Sequence, residues 1–419
     1  MSRILILGGG TGGTIIANRL RRLYAKELRL GRTTITVVDA NDAHVYQPGL
    51  LFIPFGLQSP TAIVRPKRLQ LHRNVTYVHA HVSHVDVAHD TAYLDGALPL
   101  PYDVLIVATG CGIVPSETEG LTGPGWRESM FDFYTLDGAT GLGRRLADWS
   151  GGRLVIDIVE MPIKCPVAPL EFAFLADLYF TTRGIRDKVE ITYVTPLDGA
   201  FTKPMSSALL TQLLRDKKIN LVTDFSAGRV DGERRTLFSW DEREVPFDLL
   251  VAVPLHMGAE FVGRSPGLGD DMRFVFTDPH TLQARVAPNV FALGDATNIP
   301  ASKAGSVAHF EAEVVAENVR RLLAGEALSA EYDGHSNCFI ETGHHKALLI
   351  DFNYDVEPLP GHFPLPHLGP MRLLAESRLN HLGKLAFQWM YWNVLLPGRN
   401  IPAVHTRMST RGKELSRHA

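Results

Sequence analysis

A run of glycines directly after a short apolar segment is the feature that most restricts the fold of this chain. Residues 4–7 read as a buried strand, and the next six, G-G-G-T-G-G, give a G-x-G-x-x-G spacing before a predicted helix over residues 14–28. Residues 34–38 read as a second strand. A strand, a glycine loop, a helix and a parallel strand form a βαβ unit, so the sequence predicts an α/β fold with a parallel sheet.

The glycine loop predicts a nucleotide site. Without Cβ atoms the loop can turn tightly and let a pyrophosphate reach the unpaired N–H groups that begin a helix. The candidate residues are Gly8, Gly10, Thr11 and Gly13. Asp39, at the end of the second strand, is placed to bind an adenine-ribose 2′-hydroxyl and would repel a 2′-phosphate. The pattern predicts FAD or NAD rather than NADP, with a glycine-rich turn without ligand as the alternative.

Length and charge exclude several classes of protein. The chain has 419 residues, 45% of them hydrophobic, which is enough for two or three domains. Lys and Arg number 42 against 45 Asp and Glu, a formal net charge of −3 that argues against a nucleic-acid binder. No run of about 18 apolar residues occurs, and the N-terminus lacks the apolar core of a signal peptide. We therefore expect synthesis in the cytoplasm, with no signal peptide and no spanning helix.

The cysteines and histidines do not match the usual metal or disulfide patterns. The three cysteines, Cys111, Cys165 and Cys338, contain no C-x-x-C pair, which argues against a disulfide scaffold and a zinc ribbon. One disulfide or three thiols remain open. The histidines, including His344 and His345, show no metal-ligand spacing, so no metal site is predicted.

Two later segments distinguish FAD from NAD. Residues 102–110, Y-D-V-L-I-V-A-T-G, end in Ala108, Thr109 and Gly110, and residues 290–295, V-F-A-L-G-D, end in Gly294 and Asp295. Both resemble motifs of flavoproteins with two dinucleotide-binding domains, in which the matching Asp binds the ribityl chain of the flavin. The resemblance implies FAD. Non-covalent binding is expected because no cysteine lies between Gly13 and Gly110.

A cysteine motif occupies the place of a second nucleotide loop. After a strand at 153–159 the chain reads E-M-P-I-K-C-P-V-A-P, whose three prolines remove N–H donors that a phosphate cradle needs. NADH is therefore not the expected electron donor. The segment resembles the P-x-K-C-x-x-A-P motif of sulfide:quinone oxidoreductases. Residues 298–305 resemble that family's segment after G-D, and residues 332–338 resemble the region of its second redox cysteine.

The family resemblance implies roles for several residues. Cys165 and Cys338 would be the redox pair that takes sulfur from sulfide and passes two electrons to the flavin. Cys111 would be a third functional cysteine or, by preference, a packing residue. Glu171 is a candidate proton relay or a partner of a helix dipole. Lys303 is a candidate cation for the reduced flavin, with a solvated surface lysine as the alternative.

The C-terminal segment predicts contact with a membrane. Residues 371–380 and 382–392 read as two amphipathic helices that carry basic and aromatic residues, as in proteins that lie on the cytoplasmic membrane without crossing it. Domain packing or dimerisation is the alternative. Phe339, Phe363 and Tyr391 are candidates to stack on the quinone that the resemblance implies. The oligomeric state stays open, with a homo-oligomer as one option.

The sequence thus predicts two Rossmann-like dinucleotide-binding domains and a C-terminal membrane-associating segment. The expected division is 1–115 and 287–330 for the two parts of the FAD-binding domain, 116–286 for the second Rossmann-like domain, and 331–419 for the redox-cysteine and quinone segment. The expected function is FAD-dependent oxidation of sulfide to sulfur or polysulfide, with electrons passed to a membrane quinone.

Three other functions remain as alternatives. The flavoprotein subunit of a flavocytochrome c sulfide dehydrogenase would carry an export signal and a covalent flavin, and neither is expected here. A type II NADH:quinone reductase is opposed by the missing second glycine fingerprint. A flavin redox sensor would keep the fold without turnover.

Overall fold

The computed structural model describes residues 1–401 and 403–414. The first part of the chain contains, in order, β1 (Ser2–Leu7), α1 (Thr11–Leu23), α2 (Ala25–Arg29), β2 (Thr33–Asp39), β3 (Ala43–Val45), β4 (Val64–Pro66), β5 (Thr76–His79), β6 (Val82–Asp86), β7 (Thr91–Leu94), β8 (Leu100–Pro101), β9 (Val104–Val107) and β10 (Cys111–Ile113). The middle part contains β11 (Met130–Phe131), α3 (Leu136–Asp148), β12 (Gly152–Ile158), α4 (Ala168–Thr182), β13 (Val189–Val194), α5 (Pro204–Asp216), β14 (Asn220–Val222), β15 (Ala227–Asp231), β16 (Thr236–Ser239), β17 (Glu244–Pro246), β18 (Leu249–Val253), β19 (His256–Gly258) and α6 (Glu260–Gly263). The last part contains β20 (Val290–Ala292), α7 (Gly305–Leu323), β21 (Ser336–Gly343), β22 (Lys346–Phe352), β23 (Gly361–Leu365), β24 (Gly369–Leu373) and α8 (Arg378–Met390).

The first parallel sheet has β1 at its centre. Its strand order is β20-β9-β1-β2-β5, and Ile6 of β1 pairs with Val37 of β2 and with Ile106 of β9. Every residue of β9 is buried, as expected for a parallel strand covered on both faces. Because the carboxyl ends of parallel strands meet at one edge, the loops after β1, β9 and β20 come together there.

The second parallel sheet carries the middle of the chain. Its order is β11-β18-β12-β13-β14, with β12 at the centre. The strand predicted over residues 153–159 is found as β12. The prediction of an α/β fold with parallel sheets is confirmed. The exact domain boundaries stay a prediction.

Helix α1 begins three residues earlier than the periodicity predicts. It starts at Thr11 and includes Gly12 and Gly13, which a propensity argument places outside a helix. Gly13 is required by packing, since a Cβ on this residue would lie 1.7 Å from the carbonyl oxygen of Gly8. The helix ends at Leu23, and a short second helix, α2, follows Tyr24.

The prediction of a helix over residues 371–380 is wrong. Residues 369–373 form β24, which pairs antiparallel with β23, and Asn380 belongs to the first turn of α8. Gly369 adopts a left-handed conformation and Pro370 follows it, so the chain makes a tight hairpin here instead of a helical turn. An apolar run this short does not distinguish a strand from a helix.

Helix α8 packs against the β21–β22 hairpin with its polar side inward. The side-chain amide of buried Asn380 donates hydrogen bonds to the carbonyl oxygens of Arg372, at 2.8 Å, and Ala375, at 3.1 Å. Leucines of α8 point outward instead. In the described part of the chain, no helix is both long and apolar enough to cross a membrane.

We predict that Gly13→Ala lowers the free energy of unfolding by about 1–3 kcal/mol, because the new methyl group overlaps the Gly8 carbonyl. Gly10→Ala is the matched control: an added Cβ there has no neighbour within 4 Å, and we expect a loss below about 1 kcal/mol. Urea unfolding followed by circular dichroism measures both. Equal losses for the two variants would show that the close approach of Gly13 to Gly8 does not determine the change in the free energy of unfolding.

Candidate functional site

The glycine loop presents free donors at the start of α1. Gly8 adopts a φ of +97°, and an added Cβ would lie 2.5 Å from the carbonyl oxygen of Ala108, so only glycine fits there. Gly10 caps the helix without any side-chain hydrogen bond. The first N–H groups of α1 therefore keep the capacity to bind an anion.

Asp39 lies beside the glycine loop, as predicted, and it has protein partners of its own. Its carboxylate accepts hydrogen bonds from the N–H groups of Gly9, at 2.6 Å, and Asn41, at 2.8 Å. It also pairs with the ammonium of Lys67 at 2.8 Å, and both side chains are largely buried. The sequence analysis missed Lys67, since nothing in its local sequence marks a partner 28 positions from Asp39.

The two later flavin motifs end at the same edge of the first sheet. The hydroxyl of Thr109 is buried without a partner, and a Cβ at Gly110 would meet nothing within 4 Å. The N–H of Gly294 donates to the carboxylate of Glu311 on α7, a buried residue that the sequence analysis also missed. Burial raises the pKa of Glu311 to about 8.

Asp295 and Lys303 lie together at this edge. Burial raises the pKa of the Asp295 carboxyl, and the ammonium groups of Lys303 and Lys164 oppose that rise. The ammonium of Lys303 is buried, donates to the carbonyl oxygens of Thr297, at 2.7 Å, and Asp295, at 3.2 Å, and lies 4.1 Å from the ring centroid of Phe274. The reading of Lys303 as a solvated surface residue is therefore wrong. Its proposed role toward a flavin stays a prediction.

The residues at this edge fit a dinucleotide. The helix start supplies donors for a pyrophosphate, while Asp39 and Asp295 supply acceptors for polyol hydroxyls. The unpartnered hydroxyl of Thr109 and the open space beside Gly10 and Gly110 are consistent with a bound group. This donor set agrees with the predicted FAD site.

The cysteine motif forms the loop between β12 and α4. Cys165 adopts a left-handed conformation, with a φ of +49°, which is costly for a side chain with a Cβ. Its N–H donates to the carbonyl oxygen of Lys303 at 2.6 Å, and its carbonyl oxygen accepts from the N–H of Ala168 at 2.9 Å. The two motif segments around 165 and 303, separated in sequence, are thus hydrogen-bonded to each other.

The second predicted redox cysteine lies on a neighbouring element. Cys338 is on β21, which packs against α4. Burial, followed by the charges of Glu171 and Cys338, raises the pKa of the Cys165 thiol. Burial and the charge of Glu171 raise the pKa of Cys338 to about 12. The fold therefore brings the half-buried Cys165 and Cys338 and the buried Glu171 into one cluster, and both cysteines are free thiols.

A buried ion pair connects this cluster to α8. The Glu171 carboxylate accepts from the N–H of Glu341 at 2.6 Å and from the ammonium of Lys384. Lys384 also donates to the carbonyl oxygen of Phe339 at 3.2 Å. One turn earlier on α8, His381 contacts the carboxylate of Glu341 at 2.8 Å. The sequence analysis identified Glu171 and missed its partner, although Lys384 is a basic residue of the segment it singled out.

Cys111 belongs to a different part of the site. It lies on β10, opposite Gly258 of β19. Burial and the charge of Asp295 raise its pKa to about 12, while Lys164 and Lys303 lower it. Tyr134, whose hydroxyl donates to the carbonyl oxygen of Cys165 at 3.4 Å, is within electrostatic reach of both cysteines. The packing role preferred for Cys111 stays a prediction.

The three candidate quinone residues lie on three different elements. Phe339 and Phe363 are half-buried, on β21 and β23. Tyr391 is buried, and its hydroxyl is hydrogen-bonded to Thr11 at 2.7 Å and to His44 at 2.6 Å. This position makes Tyr391 a link between the glycine loop and the C-terminal segment instead of an exposed stacking surface.

The fold and the site define a class of protein: an oxidoreductase with two nucleotide-binding-type parallel sheets, a flavin site and half-buried cysteines beside the second sheet. No family model matches the chain. Individual proteins do match it over most of its length. The mitochondrial sulfide:quinone oxidoreductase of Mus musculus is 24% identical over 403 residues, covering 94% of this chain and 86% of that protein.

Two further comparisons agree. The mitochondrial sulfide:quinone oxidoreductase of Schizosaccharomyces pombe is 28% identical over 425 residues, covering 93% of this chain and 89% of that protein. The X-ray structure of the sulfide:quinone oxidoreductase from Aquifex aeolicus matches with a TM-score of 0.78 at 19% identity, over 95% of this chain and 92% of that one. These matches confirm the predicted resemblance to the sulfide:quinone oxidoreductases and the prediction of an oxidoreductase.

We predict that Lys384→Met lowers the free energy of unfolding by about 3 kcal/mol at pH 8, because it leaves the Glu171 carboxylate buried without its cation. Burial already raises the pKa of Glu171, and losing Lys384 raises it further. As the pH falls through that pKa the carboxyl becomes neutral, so the loss of stability shrinks toward pH 5.

Urea unfolding of wild type and variant from pH 5 to pH 8 measures this effect. The double variant Glu171→Gln/Lys384→Met is the control, and it should recover most of the loss at pH 8. A loss that is the same at both pH values would show that the carboxylate charge is not its cause.

Proposed function

We propose that this chain is a flavin-dependent sulfide:quinone oxidoreductase. The observation that carries the proposal is the cluster of Cys165, Cys338 and Glu171, which is hydrogen-bonded to the backbone of Lys303 at the proposed flavin edge of the first sheet. The similarity to sulfide:quinone oxidoreductases over nearly the whole chain supports the same function. We further propose FAD as the cofactor, bound without a covalent link.

The sulfur chemistry follows from a Cys165–Cys338 disulfide as the oxidised state. Hydrosulfide attacks one sulfur of that disulfide; the bond between the cysteines breaks, a persulfide forms on one cysteine, and the other leaves as a thiolate with the electron pair. When the thiolate then bonds to the persulfide sulfur, a trisulfide links Cys165 and Cys338, and two electrons and one proton are released. FAD, when bound, would accept them and pass the electrons to a quinone.

The protein must stabilise the thiolate in a buried site. Burial raises the pKa of both Cys165 and Cys338, which opposes this charge, and Lys384 lowers both pKa values. Lys384 is therefore the residue that we assign to thiolate stabilisation, with Glu171 holding it in place. Glu171, whose pKa is raised by burial, is suited to exchange a proton with a neighbouring group of the cluster.

We expect Cys165→Ser and Cys338→Ser each to abolish sulfide-dependent quinone reduction while the flavin stays bound, because neither residue lies in a nucleotide motif. Cys111→Ser is the matched control and should have the smaller effect. Steady-state reduction of decylubiquinone with sulfide measures the activity. A loss of less than about tenfold, or about 1.4 kcal/mol in barrier, would show that the replaced sulfur is not obligatory.

We expect sulfide, and not NADH, to reduce the flavin rapidly. The loop after β12 holds Pro162 and Pro166, and Pro169 lies in the first turn of α4, so the second sheet lacks the free amides of a phosphate cradle. Anaerobic stopped-flow mixing with each reductant, followed at the flavin absorbance, is the measurement. Reduction by NADH at a rate comparable to sulfide would favour an NADH:quinone reductase instead.

We also propose that the outer face of α8 lies on a membrane and opens the way for quinone. Leu382, Leu385 and Trp389 are 57%, 54% and 67% exposed on one side of this helix, and Leu379 extends the row. Leu368, at the tip of the β23–β24 hairpin, is also exposed. A row of exposed apolar side chains is the surface expected of a protein bound to an interface.

The structure changes which residues of this segment face the lipid in that proposal. Leu373 is buried, and Leu374 and Phe387 are half-buried against the protein core, so these three side chains are not available to insert into lipid. The π-helical turn Tyr391–Leu395 also contributes core residues. Removal of the chain after Pro370 would therefore take away part of the core, and point substitutions are the better test.

We predict that Leu385→Ser/Trp389→Ser weakens binding to lipid vesicles and lowers quinone reduction more than flavin reduction by sulfide. Each side chain contributes about 1.5–3 kcal/mol at most when fully buried in lipid. The matched control, Leu98→Ser/Trp240→Ser, removes one exposed leucine and one exposed tryptophan elsewhere. Vesicle sedimentation and turnover with decylubiquinone measure the effects. Unchanged sedimentation with vesicles would show that the outer face of α8 does not bind the membrane.

A further inference from the structure

A cluster of arginines without acidic partners lies at the end of α1. We define the arginine patch as Arg21, Arg22, Arg73 and Arg399. In the described part of the chain none of the four forms an ion pair, whereas the neighbouring Arg19 is paired with Glu313 at 2.7 Å. Arg22, Arg73 and Arg399 are exposed. Like charges gathered without counter-charges are unfavourable for the protein alone, which points to an external anion.

The members of the arginine patch are close enough to affect each other. Burial, followed by the charges of Arg399, Arg19 and Arg21, lowers the pKa of Arg22. Burial, followed by the charges of Arg21, Arg73 and Arg22, lowers the pKa of the adjacent His72. The positive charges of three separate segments are therefore concentrated in one place.

A buried asparagine holds these segments together. The amide nitrogen of Asn18 donates to the carbonyl oxygens of Gln70 and Leu396, each at 2.8 Å, and its amide oxygen accepts from the N–H of His72 at 3.0 Å. Arg73 directly follows His72 in the sequence, and Arg399 lies three residues after Leu396. The segments that carry the arginine patch are thus held together by hydrogen bonds to a buried side chain.

Further arginines lie near aromatic and apolar side chains. The guanidinium of Arg65, which forms no ion pair with a described residue, lies 4.1 Å from the ring centroid of Trp392. Trp392 follows the exposed Trp389 by three residues. Two exposed leucines, Leu23 and Leu69, stand directly beside Arg22 and Arg68 in the sequence. Cations interleaved with exposed apolar groups suit a lipid interface better than a purely polar polyanion.

We propose that the arginine patch binds the anionic headgroups of a phospholipid membrane beside the apolar face of α8. The proposal rests on the function proposed above, and it adds a lipid specificity: the apolar face inserts, and the arginine patch selects a negatively charged surface. The net charge of the whole chain is −3, so attraction to an anionic membrane has to come from a local concentration of cations.

The test uses the flavin-loaded full chain and vesicles of phosphatidylcholine, with or without about a third phosphatidylglycerol. We expect wild type to bind the anionic vesicles more tightly, and the difference to fall as salt rises. Arg22→Glu/Arg73→Glu/Arg399→Glu should weaken binding to anionic vesicles by about tenfold or more and leave binding to neutral vesicles unchanged. Its matched control, Lys188→Glu/Lys218→Glu/Arg285→Glu, makes the same change of net charge at exposed residues elsewhere.

Three outcomes would overturn the proposal. Wild type that does not distinguish the two vesicle types has no anionic-lipid preference, and an equal loss in the control variant would assign the effect to net charge. Binding of a DNA oligonucleotide in place of anionic vesicles would assign the arginine patch to nucleic acid. Sulfide-dependent reduction of decylubiquinone in detergent distinguishes failure of this proposal from failure of the proposed function. If only the lipid preference is wrong, wild type and the arginine variant both keep this activity. If the proposed function is wrong, wild type itself lacks it.

Discussion

The buried carboxylate of Glu171 is the interaction on which the assembly of the site depends. It belongs to α4, accepts a hydrogen bond from the backbone of β21, and pairs with Lys384 of α8. These three elements come from distant parts of the chain, and each brings a different component: the loop of Cys165, the strand of Cys338, and the helix with the exposed apolar face. A carboxylate buried this deeply has to be paired, so the C-terminal segment has to dock where Lys384 can reach it.

This docking explains why the polarity of α8 is inverted relative to an ordinary surface helix. The side that faces the protein carries Asn380, His381 and Lys384, which satisfy buried carbonyl and carboxylate groups. The leucines and Trp389 are left on the outside. Amphipathicity alone, as read from the sequence, could not decide this orientation, because a polar face can point inward when the protein supplies buried polar partners.

The elements that the sequence predicted are those whose signals are local. The glycine loop, the strands of both sheets and the two later motifs each depend on consecutive residues, and parallel-sheet geometry brings their ends to one edge. Lys67, Glu311 and Lys384 were missed because each is defined by a partner far away in the chain. The hairpin of β24 was missed for a related reason: strand pairing overrode a weak helical periodicity.

The strained backbone at Cys165 shows how the second sheet differs from a nucleotide-binding one. A phosphate cradle after β12 would need permissive glycines and free amides. Here the one left-handed position of the loop carries a cysteine, whose amide is occupied by the carbonyl of Lys303. This hydrogen bond occupies an N–H group that a phosphate-binding loop would need. It also holds Cys165 against the segment that follows Asp295. Binding of a second nucleotide and attachment of a cysteine to the segment after Asp295 are therefore mutually exclusive uses of one loop, and this chain has the residues for the second.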